Sequence, residues 1–444
     1  MLNRYPRTAL SRRRFLRQSL AALGATCGFP TIIPGSALGL DGATAPSNRI
    51  TVGFIGMGKM ARGHMDAFLG DTTTQVLAIC DVEKGRREEC AQKVNEYYAN
   101  RDGQGDYAGC ASYGDFRELC ARPDIDGVII ATPNHWHALN AVEAAKNGKD
   151  IYLEKPTART IGESQAIVRA VRRYGRILQV GSQQRSDTAF HHACELVRNG
   201  RIGKIHTVHV NVGGPPEEDY LPAEPVPEGL DWDMWLGPCP WRPYSSVLCP
   251  PATSEDWAAW RYYREYAGGG MTDFGAHHFD IAQWGLGMDH TGPVEVIPPG
   301  NGAGDRLVYV YANGIRMYHG GAGGSGRGAA VEWIGDGGIV RVNRGQYLET
   351  VPDTLALDVI RPDEVQLYRS ENHKDNWLEG IRTRRACICP IEVGHHTAIV
   401  CHIGNIAYWL KRPLKWSPEG EHFVNDPEAN RLLNRPMREP WILS

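Results

Sequence analysis

The hexad Gly56-Met57-Gly58-Lys59-Met60-Ala61 constrains this chain more than any other stretch. It follows the apolar run 50–55 and opens a helix-like stretch through Leu69, the strand–turn–helix setting that a G-x-G-x-x-[GA] phosphate loop requires. Gly56 permits the tight turn, Gly58 lets backbone approach a pyrophosphate, and the small Ala61 lets helix and strand pack closely. The free N–H groups and positive dipole end of the helix beginning near Lys59 and Met60 then face the phosphates. A second apolar run, 75–80, ends in Asp81, 20 residues beyond Ala61. An acid at that offset suits the ribose hydroxyls of NAD and repels a 2′-phosphate, while Arg86 and Arg87 nearby keep NADP as the alternative.

From residue 50 the chain alternates strand patterns (50–55, 75–80, 127–132, 150–154, 177–180) with helix patterns (59–69, 83–98, 114–121, 135–147, 160–174). That rhythm predicts an α/β fold with a parallel, doubly wound sheet. Beyond residue 182 the pattern changes: a helix at 187–199, a strand at 204–212, an irregular Pro- and Trp-rich stretch at 213–260, and a helix at 271–285. Short runs at 293–297, 306–312, 315–319, 329–334 and 338–343 read as antiparallel strands, with Asn313-Gly314 as a hairpin turn, before a helix at 390–411. At 444 residues the chain can build two substantial cores. The division expected is 1–45, 46–182 and 183–444: leader, parallel-sheet domain and a second α+β domain. The Trp-rich stretch suits stacking on sugar rings and equally suits packing on itself.

Ser11-Arg12-Arg13-Arg14-Phe15-Leu16 is a twin-arginine pattern, and the apolar stretch after it is broken by Gly24, Gly28 and Pro30. This predicts export by the Tat route to the periplasm, with no stable membrane span after processing. A net charge of −3 excludes a basic nucleic-acid face. The 11 cysteines are dispersed without any C-x-x-C pair, so buried thiols are expected and a metal site is not.

Three segments carry the chemistry. Thr132-Pro133-Asn134 and Glu154-Lys155-Pro156 each follow a predicted parallel strand, where open α/β sheets bind ligands. Gly269-Gly270-Met271-Thr272-Asp273-Phe274-Gly275-Ala276-His277 opens a helix, with Asp273 and His277 four apart on one face. Such a pair serves as a base with its orienting partner, or as a helix cap beside a structural histidine. His137 begins a helix on the same side, Arg185 lies just past the parallel-sheet half, and Trp235 and His278 are further candidates for the substrate side.

Taken in order, these motifs resemble the glucose–fructose oxidoreductase/inositol dehydrogenase family, also called Gfo/Idh/MocA. The resemblance covers essentially all of the chain after residue 48. It implies a Rossmann domain followed by an α+β domain with a large open sheet, a homo-oligomer, a nicotinamide cofactor, and a sugar, polyol or glycoside as substrate. It further implies that Lys155 hydrogen-bonds the reacting hydroxyl, that His277 takes its proton, and that Asp273 holds substrate or orients His277. Gly56, Gly58, Lys59, Met60, Ala61, Asp81, Thr132, Pro133, Asn134, His137, Glu154 and Lys155 would hold the cofactor. An exported enzyme meets no free NAD, so tight retention of the cofactor is expected. Redox-neutral glycoside cleavage and non-catalytic sugar binding are the alternative readings.

Overall fold

The computed structural model describes residues 44–102, 107–254, 257–302, 304–326 and 328–443. The twin-arginine segment lies outside the described residues. A first unit ends at Arg49, with a 3-10 turn at Pro46–Asn48 in its described part; the rest forms a second unit from Ile50 onward.

Six parallel strands make the first sheet: β1 (Ile50–Ile55), β2 (Thr74–Cys80), β3 (Ala111–Tyr113), β4 (Gly127–Ile130), β5 (Asp150–Leu153) and β6 (Leu178–Val180). Their order is β3-β2-β1-β4-β5-β6, with the strand order reversing between β1 and β4. The connecting helices are α1 (Lys59–Leu69), α2 (Lys84–Asp102), α3 (Phe116–Cys120), α4 (Asn134–Lys146) and α5 (Ile161–Tyr174). Every residue of β4 and β5 is buried, as parallel strands covered on both faces require. Helix α1 turns Ala61, Met65, Phe68 and Leu69 inward, a helical spacing that gives it one apolar face. Helix α5 starts where the Thr160 hydroxyl accepts from Glu163 N and stops at Gly175, whose φ of 60° is left-handed.

The second sheet has nine strands: β7 (Ile205–Val210), β8 (Glu295–Ile297), β9 (Val308–Val310), β10 (Arg316–His319), β11 (Val331–Gly335), β12 (Gly338–Asn343), β13 (Tyr347–Val351), β14 (Leu414–Ser417) and β15 (His422–Phe423). All neighbours pair antiparallel except β7 with β10. Helices α6 (Thr188–Arg198), α7 (Trp232–Leu236), α8 (Gly270–Asp273), α9 (Gly275–Leu286), α10 (His373–Thr383), α11 (Ile391–Leu410) and α12 (Pro427–Arg431) complete the domain. Side chains from α6, α9 and α11 share one core with this sheet. Among the described residues no helix is long and apolar enough to cross a membrane, and the ten described cysteines are free and buried.

The C-terminal part also contributes to the core of the first sheet. Helix α10 packs on the first sheet, not the second: Trp377, fully buried, meets Phe68 and Tyr152 edge-on, with ring centroids 5.9 Å away in both cases. Cys389 O accepts from Val180 N at the β6 edge, so the parallel-sheet core includes residues well beyond 182. The Trp-rich stretch folds largely on itself. Trp232 stacks on Trp235, with centroids 4.7 Å apart, in a cluster with Tyr244 and Tyr266, whereas Trp241 and Trp257 are exposed.

Candidate active site

One cavity of about 1090 Å³ runs along the carboxyl ends of the parallel strands, from Asp81 past the Gly56–Gly58 turn to Asp273 on the second domain. It lies just above the range of about 300–1000 Å³ for small-molecule sites, with room for a dinucleotide and a second ligand.

Its floor is built by the phosphate loop. Gly56 has φ 86°, and a Cβ there would meet Thr132 N at 2.9 Å. Gly58 is extended, and a Cβ on it would meet nothing within 4 Å, so its open side faces the cavity. Asp81 binds the loop, accepting from Met57 N at 2.6 Å and Glu83 N at 2.9 Å. Burial pushes its carboxyl up, against the pull of Arg86 and these N–H groups. Arg86 donates to Pro250 O at 2.5 Å and Arg87 to Asp81 O at 3.1 Å. Lys59 and Met60 line the cavity, Lys59 Nζ lying 5.8 Å from the Trp257 ring, while Ala61 is fully buried beneath the loop. The fit to a dinucleotide rests on these observations: an open glycine at a helix start, a buried acid on the neighbouring strand, and a long groove between them.

Farther along, Thr132, Pro133 and Asn134 line the wall at the start of α4. Both ring nitrogens of His137 face carbonyls, Pro156 O at 2.7 Å and Thr132 O at 2.9 Å, so the ring braces the wall. Glu154 Oε1 lies 2.8 Å from His64 Nε2 and accepts from Gln183 Nε2, also at 2.8 Å. Burial alone would raise the Glu154 carboxyl; His64 and Lys155 hold it below its ordinary value.

Lys155 Nζ crosses the cavity to Asp273, 2.7 Å from Oδ1 and 3.0 Å from the backbone oxygen. Arg261 Nε approaches Asp273 Oδ2 at 3.7 Å. The proposed Asp273–His277 partnership needs correction. The helix breaks at Phe274, placing Asp273 at the end of α8 and His277 in the first turn of α9, and the Asp273 carboxylate turns to Lys155 and Arg261. His277 lines the cavity with its buried Nδ1 unpartnered. Burial first, then the charges of Lys155 and Arg344, hold its pKa well below the ordinary histidine value.

Two substrate-side candidates lie elsewhere. Arg185 is 1% exposed, bonded through two nitrogens to Asp280 at 2.7 and 2.8 Å and to Asp289 at 2.7 Å, because its side chain turns into the second domain's core. His278 turns away from the cavity, with Nδ1 2.8 Å from Asn211 O. Trp235 reaches the cavity wall, although only 5% of it is exposed.

Sequence reading missed Arg261, Arg344, His64 and Gln183, which line or support the cavity, while part of the Trp-rich stretch, at 248–254 and 257–262, forms its roof. None of these four sits in a motif. The roof is tied to the first domain where Pro250 O accepts from Arg86, and the preceding segment at 229–231 also meets that domain: Lys84 N donates to Gly229 O at 2.9 Å and Asp231 N to Val82 O at 3.1 Å.

Comparison with known proteins agrees with this geometry. Residues 50–182 match "Oxidoreductase family, NAD-binding Rossmann fold", and residues 215–443 match "Oxidoreductase family, C-terminal alpha/beta domain". An inositol 2-dehydrogenase from Salmonella typhimurium is 28% identical over 194 residues, 42% of this chain and 54% of that protein. A glycosyl hydrolase family 109 protein from Shewanella pealeana is 32% identical over 169 residues, 36% of each. The chain thus spans about half or less of the length of these relatives. The solved aldose–aldose oxidoreductase of Caulobacter crescentus shares the fold, with TM-score 0.56 and 19% identity, covering 83% of this chain and 99% of that one.

Proposed function

The chain belongs to the Gfo/Idh/MocA oxidoreductase family, and from that membership we propose that it oxidises a secondary hydroxyl of a sugar, polyol or glycoside using NAD held in the long cavity. The observation that carries this reading is the Lys155 ammonium, fixed by Asp273 beside a buried, neutral imidazole at one end of the nucleotide groove. NAD, when bound, supplies the hydride acceptor. Lys155 donates a hydrogen bond to the substrate oxygen and stabilises negative charge developing there. His277, kept neutral, accepts the hydroxyl proton as the carbinol becomes a carbonyl. Asp273 orients Lys155 instead of the base.

The Gly56–Ala61 turn, Asp81, Thr132, Pro133, Asn134, His137 and Glu154 would hold or brace the cofactor. The roof at 248–254 and 257–262, which lines the cavity and is tied to the first domain through Arg86 and Pro250 O, supports tight retention. Retention agrees with Tat export to the periplasm, which we propose from the Ser11–Leu16 pattern. A homo-oligomer is part of the same reading.

A second reading, redox-neutral glycoside cleavage, is favoured by the family 109 relative. Incubating the purified protein with sugars and glycosides, without added cofactor, separates the two readings. Net nicotinamide reduction marks a dehydrogenase; aglycone release without net reduction marks a glycosidase. Lys155→Ala is expected to lower turnover by about 10²–10⁴-fold while leaving bound nucleotide in place. Unchanged turnover in that variant overturns the assignment of the centre.

A further inference from the structure

At the Asp273 end of the cavity one cation, Arg344, stands without a carboxylate partner among the described residues. Lys155, Arg261 and Arg344 line the cavity together with Asp273, Asp187 and Glu154. Asp273 is shared between Lys155 and Arg261. Asp187 caps α6 through Ala189 N and accepts from Gln346 Nε2 at 2.9 Å. Glu154 is occupied by His64 and Gln183. Arg344 makes no ion pair among the described residues.

Arg344 is nevertheless held in place. It stands at the tip of the β12–β13 hairpin, and Gln346, two residues on in the same turn, ties that tip to α6 through Asp187 and Thr188. Its guanidinium lies 5.0 Å from the Phe274 ring centroid. Gln184, with its amide turned to satisfy both ends, accepts from Arg344 Nε at 2.9 Å and donates to the His277 carbonyl at 3.1 Å. One face is therefore covered and Nε engaged, leaving the terminal N–H edge for a ligand. Arg261 is braced similarly, 5.2 Å from the Trp257 ring and 5.2 Å from the Trp260 ring, with one nitrogen on Ala258 O.

We propose that Arg344, assisted by Arg261, forms a subsite for a carboxylate on the substrate, so that this chain acts on a sugar acid such as a hexuronate or hexuronide. The proposal rests on the sugar-oxidising reading above. Planar guanidinium edges match a carboxylate in a bidentate manner. Asp273, Asp187 and Glu154 already have partners, so the terminal N–H edge of Arg344 is what remains to pair with a substrate carboxylate.

The test uses the full-length, cofactor-loaded protein with D-glucuronate, D-galacturonate and their methyl glycosides, the matching neutral hexoses and hexosides, and glucose 6-phosphate. Equilibrium binding is read from tryptophan fluorescence, since Trp257 and Trp260 flank Arg261. Turnover is read from nicotinamide absorbance and aglycone release. The expected result is a preference of about tenfold or more for the acids, in both binding and kcat/KM. Arg344→Gln should collapse the acid-to-neutral ratio by a similar factor, and Arg344→Lys should restore part of it. Acids bound and turned over no better than neutral sugars, or a ratio unmoved in Arg344→Gln, overturns the subsite and leaves the oxidation reading standing. Preference for the 6-phosphate overturns the carboxylate assignment. Failure of every sugar to react overturns both readings.

Discussion

Gly56 and Gly58 sit two positions apart in one turn, yet they are glycines for different reasons. Gly56 is required by the protein itself, since its φ of 86° and the Thr132 backbone 2.9 Å from an added Cβ forbid a side chain. Gly58 has an ordinary extended backbone and open space beside it, so only a ligand needs it bare. Gly58→Ala is therefore expected to keep the wild-type melting temperature within about 1 °C while losing about tenfold or more of its nucleotide affinity. Gly56→Ala should lose both, with about 1–3 kcal/mol of strain. Thermal melts and the nucleotide content of the purified variants check both outcomes. The same contrast governs legibility at this scale. Lys155, Asp273 and His277 stand in fixed-spacing motifs and were readable. Arg261 and Arg344 stand in no motif, and only distant contacts bring them to the cavity.

At the scale of elements, repetitive structure with strong patterning was readable, and short or polar elements were not. The five longest runs of the parallel-sheet half appear near their expected limits. Strand β3 has three residues, and α10 carries polar residues around few apolar ones, so neither announces itself. Arg185 shows how an element reassigns a residue. It leaves the 3-10 turn at Gln183–Ser186 pointing toward α9, where Asp280 is fully buried and Asp289 waits beyond the helix end. Its function is to brace that turn against α9. Arg185→Ala would leave Asp280 charged and unpaired in the core, a loss of about 3–5 kcal/mol. Denaturant unfolding should register that loss, while nucleotide content in the surviving folded fraction stays at the wild-type level.

Across the whole molecule, buried histidines set the response to acid. Burial holds His135 at about 3, and His278, His373 and His402 each at about 4. These folded values lie below the ordinary value of 6.5, so the unfolded chain binds more protons as pH falls. The stability is full above the unfolded pKa and drains away as pH drops from there through the folded values. Each such histidine forfeits about 2 kcal/mol by pH 5. The melting temperature is expected to fall steeply between pH 7 and pH 5; a flat profile would show these side chains reach solvent. None of this was readable in advance, because a histidine's burial is a property of what packs on it.

The amino-acid sequence alone determined the phosphate loop, the alternation of strand and helix, and the three motif segments, because those rules act within a few residues through backbone geometry, side-chain size and periodicity. The tertiary structure alone decided which charges meet. Lys155 and Asp273 are 118 positions apart, and Arg185 and Asp280 are 95. Whether an arginine lines a cavity or braces a core depends on strand register and on how one sheet seats against the other. No local pattern encodes that choice, since the same guanidinium serves in both places, and only the packing of distant elements fixes the carboxylate it finds.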